Sequence, residues 1–149
     1  MAARRHYEGT TVSETSSLTE IDSILRRHGV KTTRWTNATD WLRLEFTWQW
    51  KDQPLSFRID LDIPTVLDGY SLTSAKREAE RRRRLRVLLN HIKAKLIAVE
   101  DGLIEMEQEF LPYLLMAGDQ TVGEMVKEQM PAAITEGRLA PIALLKEGR

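Results

Sequence analysis

The residues whose types and spacing could do chemistry are concentrated between positions 76 and 95. Lys76-Arg77-Glu78-Ala79-Glu80-Arg81-Arg82-Arg83-Arg84-Leu85-Arg86, continued by Lys93 and Lys95, sets nine basic residues against two acidic ones. Consecutive arginines on a helix wrap around it, and each guanidinium offers a fork of donors that matches a phosphate. From Glu100 to Glu128 the balance reverses, with eight acidic residues against Lys127 alone. The same run also reads as a solvated helix end whose charges pair within the chain or across an oligomer.

A second group lies on the polar side of an expected sheet: Trp41, Arg43 and Arg58, with Arg34 and Trp35 nearby. Aromatic and guanidinium groups stack on bases while also meeting phosphates. Trp48 and Trp50 fall on the apolar side, where at least one should be buried, which leaves Trp41 as the better candidate for an exposed platform. The candidate contacts for a nucleic acid or nucleotide-like anion are therefore Arg81, Arg82, Arg83, Arg84, Arg86, Lys93, Trp41, Arg43 and Arg58.

Little else suggests catalysis. His6, His28 and His91 are scattered without metal-ligand spacing. Asp60 and Asp62, or Glu105, Glu107 and Glu109, hold a metal or move protons only with converging partners, and the sequence shows none. There is no glycine-rich phosphate loop, nucleophile elbow or zinc signature. With no cysteine, a thiolate nucleophile and a disulfide framework are excluded. The expectation is a binding protein, not an enzyme, with no cofactor and no metal.

The elements that must position these groups follow from periodicity. Ser17-Leu18-Thr19-Glu20 has the form of a capping box, opening a short helix that buries Ile21, Ile24 and Leu25 and stops at Gly29. Leu42, Leu44, Phe46, Trp48 and Trp50 alternate with polar positions. After a turn at Lys51-Asp52-Gln53-Pro54, so do Leu55, Phe57, Ile59, Leu61 and Ile63. This predicts an antiparallel hairpin, with Val30 to Trp35 as a third strand and Pro64 as its end. From Thr73 to Leu111 apolar residues recur every three or four positions, from Leu85 through Leu103 to Phe110. Unbroken, that helix would be a rod of roughly 58 Å, with Gly102 the easiest place to bend. Its apolar stripe outruns the sheet, so a homo-oligomer is expected, a dimer above all, unless the chain folds back at Gly102. Thr121 to Glu124 resembles a second capping box before a helix kinked near Pro131. Leu139, Ile142, Leu144 and Leu145 are expected to tuck a tail onto the core. The fold class is α+β: a short N-terminal helix, an antiparallel sheet of about three strands, a long amphipathic helix and short C-terminal helices.

At 149 residues the chain reads as a single domain, 1–149, with 1–16 a flexible leader. Its net charge of zero argues against a protein that coats nucleic acid over its whole surface. No apolar run approaches the roughly 20 residues needed to cross a bilayer. Without a secretory signal pattern the expectation is a cytoplasmic protein, not a membrane one.

Several segments carry a resemblance. Arg83-Arg84-Leu85-Arg86-Val87-Leu88-Leu89, Ile92-Lys93-Ala94-Lys95-Leu96, Ala98-Val99-Glu100 with Gly102, Glu109-Phe110-Leu111 and Thr121-Val122-Gly123-Glu124 are among them. Glu20-Ile21 through His28-Gly29 and Phe57-Arg58-Ile59 fit the same scheme. The chain resembles small phage and prophage proteins of unassigned function. That resemblance implies a phage-encoded accessory protein acting in the host cytoplasm, and it transfers no site. Three readings follow. The first is a nucleic-acid-associated protein. The second is an anti-defence protein that sequesters a nucleotide signal or blocks a host protein. The third is a structural or assembly protein.

Overall fold

In the computed structural model, which describes residues 3–139, the first helix, α1 (Glu14–Arg27), opens earlier than its sequence suggests. Ser13 is the N-cap, and its hydroxyl accepts from the Ser16 amide at 3.1 Å. The expected capping box at Ser17 does not form. Ser17 lies a turn inside the helix and is buried against the core, a position the earlier cap creates. Gly29, at φ +89°, ends the helix in the left-handed region as expected.

Three strands follow in the order β1 (Thr32–Asn37), β2 (Trp41–Trp50) and β3 (Gln53–Asp62), all antiparallel. Lys51 and Asp52, at φ 46° and 64°, make the two-residue turn with both central residues left-handed that suits strand twist. The turn is thus shorter than expected. Gln53 and Pro54 already pair with Trp50 and Gln49. The third strand is shifted by two residues, because Val30 is spent in the core before pairing begins. Leu42, Leu44 and Phe46 on β2 and Phe57 and Ile59 on β3 are buried, as the alternation requires, whereas neither Trp48 nor Trp50 is fully buried, because both lie towards the hairpin end of the sheet.

After a small hairpin of β4 (Val66–Leu67) and β5 (Tyr70–Ser71), the long helix α2 (Ser74–Glu100) begins at the N-cap Thr73. Leu85, Leu88, Leu89, Ile92 and Leu96 face the core. Ion pairs from Glu14 to Arg81 and from Glu20 to Arg86 and Lys93, and a 3.6 Å approach of His28 to Glu100, occur in the same order along both helices. The two helices therefore run parallel across the apolar face of the sheet. The long rod does not form. Gly102, at φ +74°, breaks it, and α3 (Met106–Glu109) folds back. Phe110 then sits edge-on to Phe46 and Phe57, at 5.6 and 6.1 Å, beside their 5.1 Å stack. Leu103, assigned to the stripe by spacing, is 81% exposed because it lies past the break. The premise for a dimer through an overlong helix is removed by this fold-back.

A 3-10 turn (Leu111–Tyr113), the hairpin of β6 (Leu115–Met116) and β7 (Gln120–Thr121), and α4 (Val122–Thr135) complete the described chain. Both halves of the Thr121/Glu124 capping box are present. Pro131 does not end α4, which continues to Thr135 on an exposed surface, so the carbonyl left without a donor is not sealed in the core. Leu139 is half exposed, and Ile142, Leu144 and Leu145 lie outside the described residues. The architecture is α+β. No described helix is long and apolar enough to cross a membrane.

Candidate nucleic-acid interface

Six of the nine candidate residues are held by the protein's own acids. Arg81 pairs with Glu14 at 3.0 Å and donates twice to the Ala38 carbonyl, at 2.6 and 3.0 Å. Arg83 pairs with the buried Glu80 at 3.2 Å. Arg86 and Lys93 share Glu20, at 3.2 and 2.6 Å, and the Lys93 hydrogen bond leads in holding that carboxyl below its ordinary value. The Glu14 and Glu20 contacts fasten α1 to α2. Acidic residues spaced along α1, far away in sequence, neutralise much of the arginine run.

The polar face of the sheet is similarly committed. Arg43 donates to both oxygens of Asp60, at 2.6 and 3.0 Å, a hydrogen-bonded pair that raises its pKa further. Its guanidinium also lies 5.3 Å from the centroid of the Trp41 ring, so the half-buried platform already carries a cation from its own strand. Arg58 is only 4% exposed. It donates to the Asp119 carboxylate and carbonyl, both at 2.7 Å, and reaches Glu124 at 3.5 Å. It is a clamp between the sheet and the β6–β7–α4 segment. The depression on this face, about 310 Å³, is lined instead by groups such as Thr32, Arg34, Glu45, Thr47 and Ser56. Arg34 and Glu45 are paired there at 2.6 Å.

Of the eight basic candidates, Arg82 and Arg84 remain without an ion pair among the described residues. The Arg84 Nε–H is also buried with no acceptor. Arg77, seven residues earlier, likewise has no acidic partner among the described residues. His91 is seven residues later. Residues seven apart lie on nearly the same helix face, about 10.5 Å from one to the next. Arg77, Arg84 and His91 therefore form one strip along a flank of α2.

Beside this strip runs a groove of about 530 Å³ that the sequence did not reveal. The segment before α1, expected as a flexible leader, instead lies against the outer side of α2. Arg5 reaches Glu80 at 2.5 Å, and Arg83 donates to the His6 carbonyl at 3.4 Å. This arm contributes Arg5, His6 and Tyr7 to the groove; α2 contributes Arg83, Asn90 and His91. No acidic side chain lines it. Burial pushes the Glu80 carboxyl up, but hydrogen bonds from Arg83 and Arg5 together outweigh it and leave the group below its ordinary value. Burial, then the nearby Lys95 charge, pushes the His91 imidazole down, which favours the neutral ring. Its Nε2 lies 3.1 Å from the Tyr113 hydroxyl. His6 and His91 are 85 positions apart, and only the docking of the arm brings them to one groove. The cluster Arg4-Arg5-His6-Tyr7 was the available signal, with no local pattern to say where it docks.

Among the described residues no group of three or more His, Asp or Glu side chains is arranged to hold a metal ion. Comparison of the chain with protein families, with curated proteins and with solved structures finds no match.

Proposed function

We propose that this chain is a non-enzymatic binding protein that associates with nucleic acid, its backbone running along the Arg77–Arg84–His91 strip of α2. The observation that carries this reading is the state of Arg84. In a run where Arg81 and Arg86 pair with acids of α1 and Arg83 shares Glu80 with Arg5, Arg84 has no acidic partner at all among the described residues. Its terminal nitrogens are neither bonded to the described residues nor buried, so they remain open to a phosphate, while the covered Nε–H holds the stem in place. The contact surface is thus narrower than the nine residues first singled out. By the resemblance to phage proteins, such a protein would work on nucleic acid in the host cytoplasm.

Fluorescence anisotropy with labelled single- and double-stranded oligonucleotides, at 50 and 200 mM salt, tests the proposal. Replacing Arg77 and Arg84 together by Gln should lower the salt slope by about 1.4 for a single strand, two phosphate contacts' worth. Arg81→Gln should leave that slope unchanged, because Arg81 is already neutralised by Glu14. Equal slopes for wild type and the double variant would overturn the reading.

The anti-defence reading, in its nucleotide-sequestering form, needs free guanidinium groups around Trp41, and Arg43 and Arg58 are both committed there. The assembly reading has one observation in its favour. From Val126 to Thr135 every α4 residue except Ala133 is exposed, and Val126, Met130 and Ile134 repeat four apart. If copies of this chain meet through that row, light scattering gives twice the 17.2 kDa chain mass, and Met130→Glu returns it to one.

A further inference from the structure

We infer that the groove between the N-terminal arm and α2 is a nucleotide subsite, taking an unpaired aromatic base against Tyr7 and the attached phosphate on the groove side of the Arg5 and Arg83 guanidiniums. The inference extends the nucleic-acid reading, yet the groove can be tested without any strand.

The first support is backbone geometry. Tyr7 sits at φ 59°, a left-handed conformation that bulky side chains rarely adopt. Such strain persists only where the surroundings over-determine it, and it concentrates at ligand contacts. Here the surroundings do so. The Arg5 amide donates to the Glu8 carboxylate at 3.0 Å, Arg4 donates to the Glu8 carbonyl at 3.1 Å, and the Thr10 amide donates to the Tyr7 carbonyl at 3.1 Å. The result is that Tyr7 stays 42% exposed at the groove, with the His6 ring 6.4 Å from its own and tilted by 49°. The open part of Tyr7 borders the groove, where a stacked base would cover it.

The second support is charge. Two guanidiniums share the single Glu80 carboxylate, so the floor of the groove carries a net positive charge while both forks are held in place. Orientation is settled before a ligand arrives, which lowers the ordering cost of binding. The third is hydrogen-bonding capacity. Asn90 spends its amide nitrogen on the Arg86 carbonyl at 2.8 Å, leaving its oxygen as an acceptor for an exocyclic amine. The groove's volume falls within the roughly 300–1,000 Å³ usual for small-ligand sites. It is open along its length, which admits one residue of a passing strand as well as a free nucleotide. A paired base hides its faces in the stack and would not fit this contact.

Isothermal titration calorimetry of the full chain at low salt, with adenosine 5′-monophosphate, adenosine and inorganic phosphate as separate probes, tests the inference. The monophosphate should bind at least tenfold more tightly than either fragment. Tyr7→Ala should weaken it fivefold or more, the loss of one stacked base, while Tyr7→Phe retains it. Circular dichroism should show both variants folded, since the arm lies outside the core. Phosphate binding as tightly as the monophosphate, or Tyr7→Ala without effect, overturns the inference. An oligonucleotide that binds more tightly than the free nucleotide, and loses affinity on Tyr7→Ala, identifies a strand as the source. If oligonucleotides bind through Arg77 and Arg84 but the monophosphate gives no heat, the subsite falls and the nucleic-acid reading stands. Monophosphate binding without any oligonucleotide binding has the opposite meaning.

Discussion

Arg58→Ala should detach the C-terminal segment from the sheet without unfolding the sheet itself. The Arg58 side chain is nearly fully buried and makes two 2.7 Å hydrogen bonds to Asp119, one to a carboxylate and one to a carbonyl. Charge-assisted hydrogen bonds contribute about 1.5–3 kcal/mol each when buried. Asp119, however, is 82% exposed in its side chain, so that ion pair must be discounted towards about 1 kcal/mol or less. The carbonyl bond is better shielded. The sum is about 2–3 kcal/mol, with the lost packing of the arginine stem included. Because the substitution removes the charge itself, it leaves no buried cation behind. Glu124 keeps its bond to the Thr121 amide at 2.8 Å, so the α4 cap should survive. Urea unfolding measures the total, and amide exchange locates it. Exchange should accelerate in β6, β7 and α4 while β2 keeps its protection. A loss below about 0.5 kcal/mol, or acceleration spread evenly over the sheet, would refute the clamp.

Phe46→Ala should cost about 3–5 kcal/mol in urea unfolding, since it empties a site between Phe57 and Phe110; Arg43→Ala should cost at most about 1 kcal/mol, its pair with Asp60 being partly exposed. Gly123→Ala would place a Cβ 2.8 Å from the Pro112 carbonyl oxygen, so α4 must shift, at about 1–3 kcal/mol in the same assay. The lowered His91 pKa means the unfolded chain binds more protons below its ordinary value of 6.5. Stability from this group is therefore present above pH 6.5 and lost as pH falls through the depressed folded value. Melts at pH 5.5 and 7.5 should show His91→Gln flattening that dependence, and an unchanged slope would mean the ring is not the source.

Much of the fold was legible because its signals are local. Alternation from Trp41 to Ile63 reports which side chains share a face, and a pleated strand leaves no other choice. Gly29 and the Thr121/Glu124 box report helix ends by their own backbone and side-chain chemistry. Ser17 misled because two serines compete as caps, and only packing of Ser17 against the core selects Ser13. Gly102 was marked as a bend, but that it reverses the chain depends on Phe110 finding Phe46 and Phe57, partners more than fifty residues away.

The candidate site divides along the same line. Sequence alone determined that α2 begins rich in arginine, that Trp41 and Arg43 share a sheet face, and that α+β is the class, because each is a matter of near neighbours and period. Which arginines stay free was decided by tertiary structure. Glu14 and Glu20 reach Arg81, Arg86 and Lys93 only because α1 runs parallel to α2. Asp119 reaches Arg58 only because the β6–β7 turn lies over the sheet. The groove exists only because Arg5 finds Glu80 across 75 positions. Charge pairing acts through space, and a linear chain does not record those distances until the core has folded.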